Sequence, residues 1–311
     1  MKKRRKLIWH RFIIFLIICA LILFFILSGL IKAVNFISSF NTSSPFSVRN
    51  HDYPDIDLQL NAKQYLISSE ENFFNFIQAS KGHNDRIYPA SLTKLMTMYV
   101  VLNHVDESDL DNMLEVSYLD LEGLIANNAS VMGLNVGDTI SVRNALYGLI
   151  LSSGADCANV LKNYIESKGF DFIAEMNNLA LKIGMHDSHF TNVTGLFDED
   201  NYSTLYDINI LMHQLKRNEV GKEILTTLTR NDDGYTIEST MFPLSSEYKT
   251  INAEILGGKT GFTAQSHLNL AAVVKANNKY HFILLAGADE QGDDGMYSHL
   301  SDAVSIINYQ K

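Results

Sequence analysis
The chain has 311 residues, 46% of them hydrophobic, with 35 acidic side chains against 25 basic ones. A net charge of −10 argues against a nucleic-acid binder, because phosphate contacts need a basic surface. With only two cysteines the chain is no disulfide-built scaffold, and its length allows a large core without one.

Residues 1–11, MKKRRKLIWHR, form a basic head, and Phe12 to Ile31 are twenty uncharged residues diluted only by Ser28 and Gly29. Twenty helical residues span roughly 30 Å, the thickness of a bilayer core. The apolar run exceeds the 7–15 residues usual in a cleavable signal, and no small-x-small site follows, so 12–31 reads as an uncleaved membrane anchor. Its basic head is expected in the cytoplasm and the rest of the chain outside. Beyond Lys32 lie 18 basic and all 35 acidic residues, a net −17 for the outer part. Cys19 then lies in the membrane and Cys157 outside, so they cannot pair within one chain. Residues 32–55 are polar, Ser-rich and broken by Pro45 and Pro54, which predicts an extended stalk.

The outer domain is expected to occupy 56–311. Gln64–Ser68 and Phe73–Gln78 read as short strands, followed by a helix carrying Ser91. From about 106 to 221 the spacing is mainly helical, with helices over Val142–Leu151, Asp156–Lys168, Phe170–Gly184 and Leu205–Leu215. Leu268–Lys275 and His281–Gly287 read as strands joined by a turn, and Gly295–Tyr309 as a closing amphipathic helix. Strands at both ends with helices between predict a mixed α/β (α+β) class, an antiparallel sheet drawn from both termini and packed on a helical region.

Three clusters carry chemistry. In YPASLTKLMTMYVVL (Tyr88–Leu102), Ser91, Thr93, Lys94 and Thr97 fall on one arc of an otherwise apolar helix. Ser91 and Lys94 are three apart, so the amine can reach the hydroxyl. Near a helix N-terminus and partly desolvated, a lysine is easier to keep neutral and can take a serine proton. Alone, the pair is better read as an ordinary lysine on the polar edge of an amphipathic helix. LILSSGADCANVL (Leu149–Leu161) brings Ser152 and Ser153 to a turn before a new helix, which alone is an ordinary helical corner. In ILGGKTGFT (Ile255–Thr263), Lys259 and Thr260 offer a cation and a hydroxyl to a carboxylate, and Gly261 lets a ligand approach the backbone. Alone, Lys-Thr-Gly is equally a hairpin turn.

Ser-x-x-Lys, a Ser-containing second motif and Lys-Thr-Gly in this order form the signature of penicillin-binding proteins and class A β-lactamases. YPASLTKLMT, SVMGLNVGDTISVRNALYGLILSSGAD, HFTNVTGLFDEDNYSTLYDI and GGKTGFT extend the likeness over most of Pro89 to Ala288. The chain resembles the serine-type D-alanyl-D-alanine carboxypeptidases, the low-molecular-mass penicillin-binding proteins of bacteria, with a β-lactamase-like fold. That resemblance implies Ser91 as acylated nucleophile, Lys94 as its base and Ser153 as proton relay. It further implies Lys259, Thr260 and Gly261 in substrate binding, and the amides of Ser91 and Phe262 as oxyanion hole. The implied partners are peptidoglycan stem peptides ending in D-Ala-D-Ala, with β-lactams as inhibitors and the membrane as anchorage; neither metal nor cofactor is implied. One departure stands out. The family's usual Ser-x-Asn is here Ser153-Gly154-Ala155, and the asparagine normally helps bind substrate and fix the lysine.

Three other readings compete. A class A-like β-lactamase needs a Glu-x-x-Leu-Asn to activate the deacylating water, and the nearest stretch, Glu175-Met-Asn-Asn-Leu, has the wrong order. A zinc peptidase could draw on His186 and His189, but both fall in a predicted loop without a metallopeptidase motif. A catalytically weakened, wall-associated homologue is the third, with Ala155 its first sign.

Overall fold
The computed structural model of the chain describes residues 51–71, 74–232, 234–241, 253–291 and 295–309. The expected head, membrane span and nearly all of the stalk lie outside the described residues; no helix among those described is long and apolar enough to cross a membrane. Residues 53–311 form one unit, built as follows.

The unit begins with a hairpin of β1 (Gln64–Glu71) and β2 (Phe74–Lys81). A 3-10 turn, Ala90–Leu92, then runs into α1 (Thr93–His104). The helical region follows: β3 (Met113–Glu115), α2 (Tyr118–Leu121), β4 (Thr139–Ser141), α3 (Val142–Ile150), α4 (Ala155–Ser167), α5 (Phe172–Ile183), α6 (Leu205–Arg217) and α7 (Glu219–Leu225). The sequence marks the starts of these helices. Ser141, Asp171, Thr204 and Asn218 each accept a backbone N–H three residues on, filling donors the first turn leaves open. The helical region reaches Leu225 rather than 221, and it encloses a two-stranded β3–β4 ladder too short to show as an alternation in sequence.

A small hairpin, β5 (Thr229–Asp232) with β6 (Tyr235–Glu238), precedes β7 (Ala253–Thr263), β8 (His267–Ala276), β9 (Lys279–Ala288) and α8 (Ser298–Tyr309). The main sheet is antiparallel with strand order β2-β1-β9-β8-β7, so the two ends of the unit meet in its middle. Both faces of its central strands are covered. Leu268, Leu270, Ala272, Val274, Ile283 and Leu285 pack with Leu300, Ala303 and Ile306 of α8. Ala271, Val273, Phe282 and Leu284 belong to the larger core shared with the helices. Burial on both sides explains why Leu270–Val274 reads as an unbroken apolar run. At the heart of the larger core, α1 is surrounded by α3, α4, α5, α6 and α7, which accounts for its nearly all-apolar circumference.

Candidate active site
The Ser91 turn is held from behind. Asn269 of β8 donates from Nδ2 to the Tyr88 carbonyl (2.9 Å), and its Oδ1 accepts from Gly287 N (3.1 Å). Ser91 sits in the 3-10 turn, and Lys94 on the first turn of α1 points back at it: Nζ donates to Ser91 Oγ at 3.0 Å. A second bond runs from Lys94 Nζ to the Thr194 carbonyl at 2.6 Å. Lys94 is only 2% exposed, and burial pulls its pKa down to about 7 against the opposing effects of Asp156 and Cys157. Near neutrality a substantial share of the amine therefore carries a free lone pair beside a hydroxyl.

The polar arc of α1 is not a solvent edge. Thr93, Lys94 and Thr97 are all buried under the 190–201 loop. Asn201 Nδ2 donates to Thr93 Oγ1 (3.0 Å), and Thr97 Oγ1 donates to the Val193 carbonyl (2.7 Å). Asn192 Oδ1 folds the loop on itself by accepting from Thr194 N and Gly195 N, which aims the Thr194 carbonyl at Lys94. Gly195 has φ +79°, and a Cβ there would lie 1.8 Å from the Ala90 carbonyl oxygen. Only glycine lets this loop touch the Ser91 turn.

The second motif forms the turn between α3 and α4. Ser153 is buried and adopts φ +59°, a left-handed conformation uncommon for a side-chain-bearing residue. Gly154 N donates to the Gly148 carbonyl (2.9 Å) and Ala155 N to the Ser130 carbonyl (2.8 Å). Ala155, the first residue of α4, is fully buried. With asparagine absent there, the Thr194 carbonyl serves as an acceptor that fixes Lys94. Neither Asp156 nor Asn159 replaces the asparagine. Asp156 binds the backbone of 132–134, and Asn159 Nδ2 donates to the Asp120 carbonyl (2.8 Å).

The third motif lies on β7, the end strand of the sheet beside the Ser91 turn. A Cβ on Gly261 would stand 2.9 Å from the Pro89 carbonyl oxygen and 3.2 Å from Ser91 N, so strand and turn touch through backbone. Lys259 is fully buried and donates to the Thr260 carbonyl (2.8 Å). Burial, then the charge of Lys94, holds its pKa well below that of an ordinary lysine. Thr260 Oγ1 is 2.6 Å from Thr240 Oγ1, and Thr240 N donates to the Leu151 carbonyl (3.0 Å), linking the third motif to the end of α3. Phe262 is exposed beside them.

Thus Ser91, Lys94, Lys259, Thr260 and Gly261 come together from the 3-10 turn, α1 and β7, while Ser153 lies on the turn that opens α4. Four contributors escaped sequence reasoning: Thr194 acts through a carbonyl, Asn201 and Asn269 through amides distant in sequence, and Thr240 through a hydroxyl between two motifs. The sequence signal for two of them was the block HFTNVTGLFDEDNYSTLYDI, which carries Thr194 and Asn201. Glu175 has no place in the cleft: it lies on α5 and pairs with His104 Nε2 at 3.1 Å, at the far end of α1, roughly 15 Å along the helix from Lys94. His189 hydrogen-bonds through Nδ1 to the Asp200 carbonyl (2.7 Å), and among the described residues no three His, Cys, Asp or Glu side chains gather as a metal site.

Comparison with known proteins places these observations in a lineage. The sequence family described as D-alanyl-D-alanine carboxypeptidase (peptidase S11) matches residues 51–288. D-alanyl-D-alanine carboxypeptidase DacF of Bacillus subtilis is 28% identical over 217 residues, 67% of this chain and 53% of that protein. DacD of Escherichia coli is 30% identical over 255 residues, 80% of this chain and 64% of its own length. The chain thus spans between half and two-thirds of the length of these curated relatives. The crystal structure of the Streptomyces K15 DD-transpeptidase superposes with a TM-score of 0.70 at 25% identity, covering 82% of this chain and 98% of that one.

Proposed function
The chain belongs to the peptidase S11 family of D-alanyl-D-alanine carboxypeptidases, and from that premise we propose that it removes the terminal D-alanine from peptidoglycan stem peptides through a Ser91 acyl-enzyme. The observation that carries the proposal is the Lys94 Nζ to Ser91 Oγ bond of 3.0 Å, made by a lysine that is buried and poised near neutrality. A neutral Lys94 takes the Ser91 proton as Oγ attacks the carbonyl of the penultimate D-alanine. The amides of Ser91 and Phe262 stabilise the oxyanion, the peptide C–N bond breaks, and the proton passes through Ser153 to the departing D-alanine. Water, deprotonated by Lys94, then frees the enzyme.

The substrate's terminal carboxylate docks on Lys259 and Thr260, with Thr240 beside them. A buried lysine without a carboxylate partner is costly to charge, so an incoming carboxylate supplies the missing counter-charge and Lys259 favours substrates that carry one. A β-lactam acylates the same Ser91 and, because Glu175 is remote, leaves slowly, so the proposal is of a penicillin-inhibited enzyme rather than a β-lactamase. Capture of the acyl group by an amine instead of water is the alternative fate, favoured by the likeness to a DD-transpeptidase. We place the domain outside the cytoplasmic membrane, held by residues 12–31. The test is covalent labelling by a tagged penicillin together with D-alanine release. Ser91→Ala is expected to abolish both, as is Lys94→Ala in a folded protein; full labelling of the Ser91→Ala protein refutes the assignment.

A further inference from the structure
Behind the cleft, the site presents a charge problem. Lys94 and Lys259 are both buried, and among the described residues neither forms an ion pair with a carboxylate. The groups that face Lys94 are Ser91 on its own turn, the Thr194 carbonyl from the loop, Asp156 and Cys157 on α4, and Lys259 on β7. Asp156 is the one acidic residue among them. It is 1% exposed and has no cation within ion-pair distance among the described residues. Instead its carboxylate accepts four backbone N–H groups: Oδ1 from Met132 (2.9 Å) and Cys157 (2.9 Å), Oδ2 from Gly133 (2.9 Å) and Leu134 (3.1 Å).

Those bonds tie down a strap. Residues 130–134 cross the start of α4, where Ser130 also accepts from Ala155 N and Met132 Sδ lies 3.5 Å from Cys157 Sγ. The Ser153 turn, in its left-handed conformation, is thereby fixed two residues upstream of the strap's contact with Ala155. A conformation of this kind is strained for a residue with a side chain and persists only where its surroundings over-determine it.

We propose that Asp156 is the positioning residue of this cleft: its buried carboxylate clamps the 130–134 strap over the Ser153 turn and stands as the buried counter-charge behind Lys94. This rests on the acyl-enzyme reading above. A carboxylate at this position favours the protonated form of Lys94 and keeps it from becoming neutral too far below physiological pH. It reaches the reaction through Lys94 and Ser153, without touching substrate.

The experiment is the second-order rate of labelling by a tagged penicillin, measured on the full-length chain from pH 5 to 9. Wild type should rise with pH through about 7, as Lys94 loses its proton. Asp156→Asn, nearly isosteric, is expected to move this acid limb down by roughly one pH unit and to lower the plateau about ten- to a hundredfold. Met132→Ala, which loosens the strap but keeps the charge, should lower the plateau and leave the limb in place. If Asp156→Asn does not fold, Asp156→Glu reads the same division: plateau lowered, limb unmoved. A lowered plateau with an unmoved limb in Asp156→Asn overturns the counter-charge, and an unaltered plateau in Met132→Ala overturns the strap. A wild type that is never labelled overturns the acyl-enzyme reading and this inference together, whereas a labelled wild type with an unchanged Asp156→Asn profile overturns this inference alone.

Discussion

Gly195→Ala tests whether the 190–201 loop belongs to the catalytic apparatus or merely packs beside it. The new Cβ would stand 1.8 Å from the Ala90 carbonyl oxygen, 2.4 Å from its carbon and 3.0 Å from Ser91 N, all backbone atoms that cannot rotate aside. To restore ordinary contact the loop and the Ser91 turn must part by about 1.5 Å. A displacement of that size breaks the 2.6 Å bond from Lys94 to the Thr194 carbonyl. Alanine at a positive φ costs about 1–2 kcal/mol, and losing a hydrogen bond to a charged group adds about 1.5–3 kcal/mol. The expected loss of about 3–5 kcal/mol lowers Tm by roughly 6–20 °C. Penicillin acylation should fall at least about a hundredfold, since a 1 Å misplacement of catalytic groups has that effect. Gly184→Ala is the control. Gly184 also has a positive φ (+96°) at the end of α5, but nothing lies within 4 Å of its would-be Cβ. It should lose about 1–2 kcal/mol of stability with acylation unchanged. Acylation of Gly195→Ala within about threefold of wild type would refute the claim that this loop sets Lys94.

Ala155→Asn is expected to raise kcat/KM on a D-Ala-D-Ala peptide by less than about tenfold, because Thr194 already holds Lys94, and to lower Tm because Ala155 is fully buried; a gain above about a hundredfold would show the asparagine's place standing empty. Burial lowers the pKa of His213 to about 3 and of His299 to about 4, so the unfolded chain binds protons that the folded one refuses. Their contribution to stability is complete above about pH 6.5 and drains away as pH falls toward 4, by about 4 kcal/mol together at pH 5. His213→Phe should flatten the slope of Tm against pH over that window, and an unchanged slope would contradict it. Protease added to intact protoplasts should remove the domain and leave a small membrane-held fragment; a mature N-terminus at Lys32 or beyond would contradict the anchor.

What could be read in advance depended on the kind of signal. The α1 helix, the helices capped by Ser141 and Thr204, and the strands β8 and β9 announce themselves through side chains, since caps and apolar runs are side-chain properties. Ser91, Lys94 and Lys259 were legible because hydroxyl and amine must be side chains at fixed spacing. The Thr194 carbonyl was not, because every residue has one and only the fold aims it. The burial of the polar arc of α1 was hidden for a related reason: nothing beside Thr93 and Thr97 in the sequence shows that Asn201 and Val193, about a hundred residues later, fold over them. Asp156 could be assigned to a first helical turn but not to a strap, since its partners are four N–H groups without a residue signature.

The pairing of β1 with β9 has a consequence in time. Leu66 lies opposite Leu284, and the cleft draws on Ser91 from one end of the domain and Lys259 from the other. A ribosome adding 5–20 residues per second needs roughly 10–40 s between making the first strand and making its neighbour. During that interval β1 has only one of its two sheet neighbours, and for most of it the serine has no lysine-bearing strand beside it. Closing so long a loop also slows folding after synthesis ends. An unfinished chain therefore carries Ser91 without the strand that brings Lys259 beside it, and the cluster is complete only once the last strands have been delivered.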